Sequence, residues 1–283
     1  MAASLDGTNG LTFNDGTLMG TANSLGMRNA LFNADFRINQ RGYVSAATLA
    51  AGAYGHDRFK AGASGGDYSF TQLASSTQVT IASGKSLIQV VEDKNVVGGS
   101  YVLSWTGTAL ARVGVNSATP SGTFVVSPAL ITGQTAGTTM SVEFNAGTLN
   151  TAQLELGTVA TPFEVRPVGL ELALCQRYLP TFGLNNSVFS GQCVSSTSCN
   201  AILPFPVQVR VPPTGLTSST LTNQVVVNVA GVVTAVASIS FTSDIGTVSA
   251  SVSLGVAGGL VAGDATVYRP NVNALILFTG CEL

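Results

Sequence analysis

Charge is what this sequence has least of. Lys and Arg number 12 and Asp and Glu 14 in 283 residues, 9% of the chain, where a soluble globular domain carries about a quarter. There is one histidine, His56, and one tryptophan, Trp105, and the four cysteines all lie from residue 175 onward. A net charge of −2 with no clustered basic face excludes nucleic acid as a partner. One histidine and no C-x-x-C exclude the common zinc sites, and no D-x-D-x-D-G loop is present for calcium, so no metal and no cofactor is expected. The longest apolar stretch, "VVVNVAGVVTAVASISF" (225–241), is broken by Asn228, Gly231, Thr234, Ser238 and Ser240. It reads as two hairpin strands and not as a membrane span. The opening "MAASLDGTNG" lacks the basic and apolar regions of a secretory signal, so Cys175, Cys193, Cys199 and Cys281 are expected as buried free thiols, with a Cys193–Cys199 bridge as the alternative.

Two enzyme-like motifs fail on context. "GASGG" (62–66) fits G-x-S-x-G at Ser64, but a strand pattern follows where the nucleophile elbow needs a helix, and His56 lies upstream. "SGKSL" (83–87) has Val79 where a phosphate loop has its first glycine. Glu92-Asp93, the one adjacent acidic pair, sits in "EDKNVVGG", which reads as a turn between strands. A non-enzymatic chain is expected.

What is present is 32 glycines, much Ser, Thr and Val, and short strand patterns at roughly ten-residue intervals. Residues 1–27 carry the turn pairs Asp6-Gly7, Asn9-Gly10 and Asp15-Gly16 with two short strands in "LTF" and "TLM", an arm without a core of its own. Residues 28–167 carry "DYSFTQLA", "VTIAS", "SLIQVVE", "SYVLSWTG", "ALARVGV", "GTFVVSP", "TTMSVEFN" and "TAQLELG". "PVGLELALCQRYLP" predicts a helical connector over 168–180, with Leu170, Ala173 and Leu174 as its apolar stripe. Residues 181–283 return to strands, the prolines of "LPFPVQVRVPP" suiting an edge strand or its approaches. The fold class expected is all-β: a jelly-roll-like sandwich, a short helix, a second small β domain, and an extended N-terminal arm. From Tyr178 to the end only Arg210, Asp244, Asp264, Arg269 and Glu282 carry charge. Such a surface self-associates unless other subunits cover it, which points to a protein that lives in an assembly.

"NALFNADFRINQRG" (29–42), "DRF" (57–59) and "AQLELGTVATPFEVRPVGLELALCQRYLP" (152–180) together resemble a module of bacteriophage tail-fibre and other virion-fibre proteins. The likeness spans residues 5–180. Ala34 stands where that family commonly has Gly, and Asn39 and Phe59 where it commonly has Trp, which removes the usual stacking platform for a sugar. The resemblance implies a non-catalytic virion structural protein made in the bacterial cytoplasm: a short homotrimeric tail fibre. It would bind other virion proteins of tail, baseplate or capsid through residues 1–27 and meet a host glycan or receptor through 181–283. The alternatives are a capsid-decorating or head-fibre protein, and a glycan-binding adhesin module.

In a jelly roll the first and last strands are neighbours, which places "FRINQRG" beside "QLELGTVATPFEVRP". Asp35, Arg37, Arg41, Glu155, Glu164 and Arg166, with Asp57 and Arg58 nearby, are then expected as a structural seam of paired, partly buried charges.

Overall fold

The computed structural model describes residues 27–182, 188–219, 221, 224–229, 231–270 and 275–283, together with the backbone of three short N-terminal strands. Those strands, β1 (Ser4–Asp6), β2 (Gly10–Thr12) and β3 (Leu18–Met19), pair antiparallel in the order β1-β2-β3. The turn pairs Asp6-Gly7, Asn9-Gly10 and Asp15-Gly16 lie wholly or partly outside the described residues. The chain is all-β with one short α-helix among the described residues, and it divides between Val168 and Gly169 into two compact units.

The first unit contains β4 (Lys60–Ala61), β5 (Tyr68–Gln72), β6 (Thr77–Ile81), β7 (Leu87–Val91), β8 (Gly99–Thr106), β9 (Ala111–Gly114), β10 (Ala129–Gln134), β11 (Met140–Phe144) and β12 (Gly147–Leu156). One sheet has the order β10-β8-β12-β6-β5 and the other β4-β7-β11-β9. From β6 onward the chain alternates between sheets as a jelly roll does, and the last strand, β12, lies beside the first, β6. Period-two patterning drives this: Val79 and Ile81 of β6, Leu87 and Val91 of β7, and Met140, Val142 and Phe144 of β11 all enter one core with Leu103, Trp105, Leu149 and Leu154.

The segment "GTFVVSP", expected as a strand, pairs through a single bridge, Val125 to Ala111, which sets it beside β9. Gly122 with its φ of +83° opens it and Pro128, which has no N–H to give a ladder, ends it. Val126 between them is 69% exposed. The strand that follows, β10, has no counterpart in the sequence reading.

The second unit begins one residue into α1 (Val168–Gln176) and continues as β13 (Thr181–Phe182), β14 (Phe189–Cys193), β15 (Ser198–Pro204), β16 (Gly215–Ser218), β17 (Gln224–Asn228), β18 (Val233–Ile245), β19 (Ser249–Val256), β20 (Ala265–Pro270) and β21 (Ile276–Thr279). Six strands close a barrel in the order β14-β15-β19-β18-β17-β20, and β13-β21-β16 form a small sheet. Both contribute to one core, in which Phe205 and Phe278 meet edge to face at 5.2 Å. β15 is no edge strand: it pairs with β14 on one side and β19 on the other. Its proline is tolerated because Pro204 is the last residue, where the ladder ends.

The helix also differs from its expected stripe. Glu171 and Cys175 are its buried residues, while Leu170 is 41% exposed. A helix apolar on every side has no periodicity to say which face packs, and the i, i+4 pair that continues into buried Tyr178 and Leu179 is the one that does. All four cysteines are free and buried. Among the described residues no helix is long and apolar enough to cross a membrane.

Candidate functional site

Five of the charged residues singled out in the sequence, Asp35, Arg37, Glu155, Glu164 and Arg166, gather where β12 changes partners. Over Gly147–Leu149 this strand pairs with β6, and from Asn150 it pairs with β8, with an irregularity between Asn150 and Gln153 and a φ of +47° at Thr151. Beyond that break the edge vacated by β6 is occupied by the segment entering the sandwich. The Ala30 N–H donates to the Leu154 carbonyl at 2.8 Å and the Ala152 N–H to the Ala34 carbonyl at 3.0 Å. Asn29 acts as an extra piece of backbone: Oδ1 accepts the Leu154 N–H at 3.0 Å and Nδ2 donates to the Ala152 carbonyl at 2.9 Å.

The exit segment then locks onto the same entry segment. Glu164 accepts the N–H of Arg28 on Oε1 at 3.2 Å and that of Asn29 on Oε2 at 3.0 Å. Two residues on, Arg166 donates from Nη1 to the Leu31 carbonyl at 3.2 Å and from Nη2 to the Asn29 carbonyl, and its guanidinium lies over the Phe32 ring. Nη2 also pairs with Glu164 Oε2 at 3.1 Å. Arg37, paired with Asp35 at 2.5 Å, donates to the Arg166 carbonyl at 2.9 Å. Glu155 fixes the turn before this segment, accepting the Thr161 N–H at 2.8 Å and its hydroxyl at 2.6 Å. Gln89 from the opposite sheet reaches through the core and exchanges two hydrogen bonds with the Phe32 backbone, at 2.7 and 2.8 Å.

The geometry differs from the expected charge pairing in kind. The two ion pairs join residues two apart, Asp35 with Arg37 and Glu164 with Arg166, while the charged contacts that cross from entry to exit run to backbone, apart from Arg28 on the Thr161 hydroxyl. The segment that meets β12 is 29–34; "FRINQRG" (36–42) forms no strand. Asp57, Arg41 and Arg58 serve elsewhere. Asp57 accepts the Gln40 N–H and side-chain amide at 2.6 and 2.7 Å, Arg41 stands over the Tyr54 ring, and Arg58 donates to the Val90 carbonyl at 2.6 Å. Burial pushes the Asp57 carboxyl up, against the Gln40 hydrogen bonds and the Arg41 charge.

The balance at Glu164 has the opposite outcome. Burial works to raise its pKa, but the N–H of Asn29, the charge of Arg166 and the N–H of Arg28 outweigh it and hold the carboxyl below its ordinary value. Asn29, Asn33, Gln89 and Gln153 were missed in the sequence reading, and each is buried with its amide on backbone groups. The paired asparagines of "NALFNADF" are the signal: in an apolar stretch, a buried amide is there for backbone.

His56 is buried among aromatic rings, with Phe70 edge-on at 4.8 Å and its Nδ1 2.7 Å from the Tyr68 hydroxyl. Burial lowers its pKa to about 4, so the ring is neutral at physiological pH. Phe59 and Phe36 stack at 4.3 Å with neither exposed, so the aromatic at position 59 is a core residue and not a surface platform. Ser64 sits in the turn bridged by Gly62 and Gly65, which leads into β5 and not into a helix. Among the described residues no three His, Cys, Asp or Glu are grouped to hold a metal ion. Compared with known proteins, the chain matches no family model, and no curated protein matches it.

Proposed function

We propose that this chain is a non-catalytic structural protein of a bacteriophage virion, a short homotrimeric tail fibre made in the bacterial cytoplasm. The segment over residues 1–27 attaches to other virion proteins, and the second unit faces the host surface. The motif resemblance over residues 29–180 is one support. The observation that carries the reading is the surface of the second unit. Val194, Ile202, Val233, Val248 and Val261 are all at least half exposed on a unit with hardly any charge to keep it apart from its copies. The seam adds to it: charges spent on backbone closure inside one module suit a part built for rigidity.

Light scattering of the purified chain tests the reading. A stable trimer at micromolar concentration is expected, and a monodisperse monomer overturns it. Capsid decoration is the second reading, which the same sandwich suits if it clamps neighbouring capsid subunits.

A further inference from the structure

We propose that Cys193 and Cys199 form a site of reversible covalent cross-linking, two thiols placed to close into a disulfide when the folded chain meets a low-molecular-weight disulfide. The two residues are direct partners in the register of β14 and β15. Both side chains point into the barrel, 1% and 0% exposed. The hydrogen bonds define which kind of pair this is. The Cys193 N–H donates to the Asp264 carbonyl at 2.8 Å and the Cys193 carbonyl accepts the Gly263 N–H at 2.9 Å, so both its backbone groups face away from β15. The bond joining the two strands comes one step later, from Val194 N–H to the Ser198 carbonyl at 2.9 Å.

Cys193 and Cys199 are therefore a non-hydrogen-bonded pair, the closer of the two antiparallel pairings, with Cα atoms typically about 4.5 Å apart. That falls inside the span of roughly 4.4–6.8 Å that a disulfide bridges without moving the backbone. Neither of the other cysteines has this relation. Cys175 lies on α1 and Cys281 follows β21, and neither stands opposite a cysteine in a strand pair.

Access comes from position. Cys193 is the last residue of β14, Cys199 the second of β15, and Val194, Ser196 and Thr197 between them are exposed. Opening the tip of one hairpin brings both sulfurs to solvent without opening the barrel. Burial pushes the Cys199 thiol up to about 11 and raises Cys193 as well, so in the closed state both are protonated and inert. Exchange follows opening. One cysteine gives its proton to solvent and attacks a sulfur of the small disulfide, forming a mixed disulfide and releasing one small thiolate, which takes up a proton. The second cysteine, deprotonated in turn, attacks the protein sulfur of that mixed disulfide and releases the second small thiol. Two protein thiols are oxidised and one small disulfide is reduced.

The sequence supplies its own controls. No Lys or Arg lies between Arg177 and Arg210, so one tryptic peptide, 178–210, carries both cysteines, while Cys175 and Cys281 fall on others. The full chain, purified under reductant and then freed of it, is incubated folded with oxidised glutathione, quenched in acid, denatured, alkylated and digested. The expected result is a 178–210 peptide that escapes alkylation and is lighter by about 2 Da, the two hydrogens removed. The peptides with Cys175 and Cys281 are fully alkylated, and dithiothreitol reverses the change. In Cys199→Ala, Cys193 is recovered alkylated or as a glutathione adduct, and unlinked. Alkylation of both residues in the wild-type chain overturns the proposal. So does a stable glutathione adduct in place of the bridge, or a link from either residue to Cys175 or Cys281.

Discussion

Asn29 and Glu164, 135 residues apart in sequence, are joined by a 3.0 Å hydrogen bond from the amide N–H of the first to the carboxylate of the second. The same Asn29 gives its carbonyl to Arg166, so both backbone polar groups of one residue are held by one short, proline-bounded segment. The stretch "ATPFEVRP" keeps two charges because a carboxylate and a guanidinium are what it takes to hold an N–H and a C=O at once.

Arg166→Ala should destabilise the first unit by roughly 3–5 kcal/mol, because the buried carbonyls of Asn29 and Leu31 lose their donor and Glu164 its partner. Arg166→Lys should recover only part of this, since an ammonium lacks the two-pronged geometry. Equilibrium denaturation measures both, and an unchanged midpoint for Arg166→Ala would show that the closure is not held there.

Glu164 makes stability depend on acid. Its folded pKa lies below the ordinary 4.5, so its contribution is complete above that pH and is lost as pH falls through the depressed folded value. Glu164→Gln should therefore be less stable than the native chain at neutral pH, with the gap narrowing below about pH 4.5. A gap independent of pH would contradict the role given to the charge.

His56 acts in a different window. Its pKa falls from 6.5 to about 4 on folding, so the unfolded chain takes up a proton first. Stability should decline from pH 6.5 to about 4 by roughly 3 kcal/mol and level off below, with no loss above 6.5. An imidazole proton resonance that shifts between pH 8 and 5 in the folded chain would refute this.

Two glycines separate strain from collision. A Cβ at Gly107, where φ is +123°, would lie 2.2 Å from the Thr148 carbonyl oxygen, whereas at Gly122, φ +83°, it meets nothing within 4 Å. Gly107→Ala should cost roughly 2–4 kcal/mol and Gly122→Ala about 1 kcal/mol. Comparable losses in thermal melts would refute the distinction.

Truncation tests the proposed orientation. Removing residues 1–27 should leave a folded oligomer that no longer enters particles. Removing 181–283 should spare incorporation and abolish host attachment. If the second deletion instead weakens the capsid and spares attachment, the decoration reading replaces the fibre.

The strands of both units were largely readable because their inner positions alternate, as Val252, Leu254 and Val256 do in β19. Glu164 and Arg166 stood out because charge is scarce. What they bind did not, since the groups they hold are the N–H and C=O of Arg28, Asn29 and Leu31, which every residue but proline carries and which leave no mark in a sequence. The single bridge at Val125 was hidden for a related reason. A β-branched run says what fits a sheet, but not whether a neighbouring edge offers it a ladder.

The closure also decides how the first unit carries tension. A pull on its two flanking segments enters at Arg28 and leaves past Arg166, and those ends are already tied directly through Asn29 and Leu31. Load therefore enters this short clasp first and passes from it to β12, to which the same entry segment is bonded through Asn29 and Ala30. Clasp and strand edge share the pull, so the unit resists stretching at the point where its two ends meet.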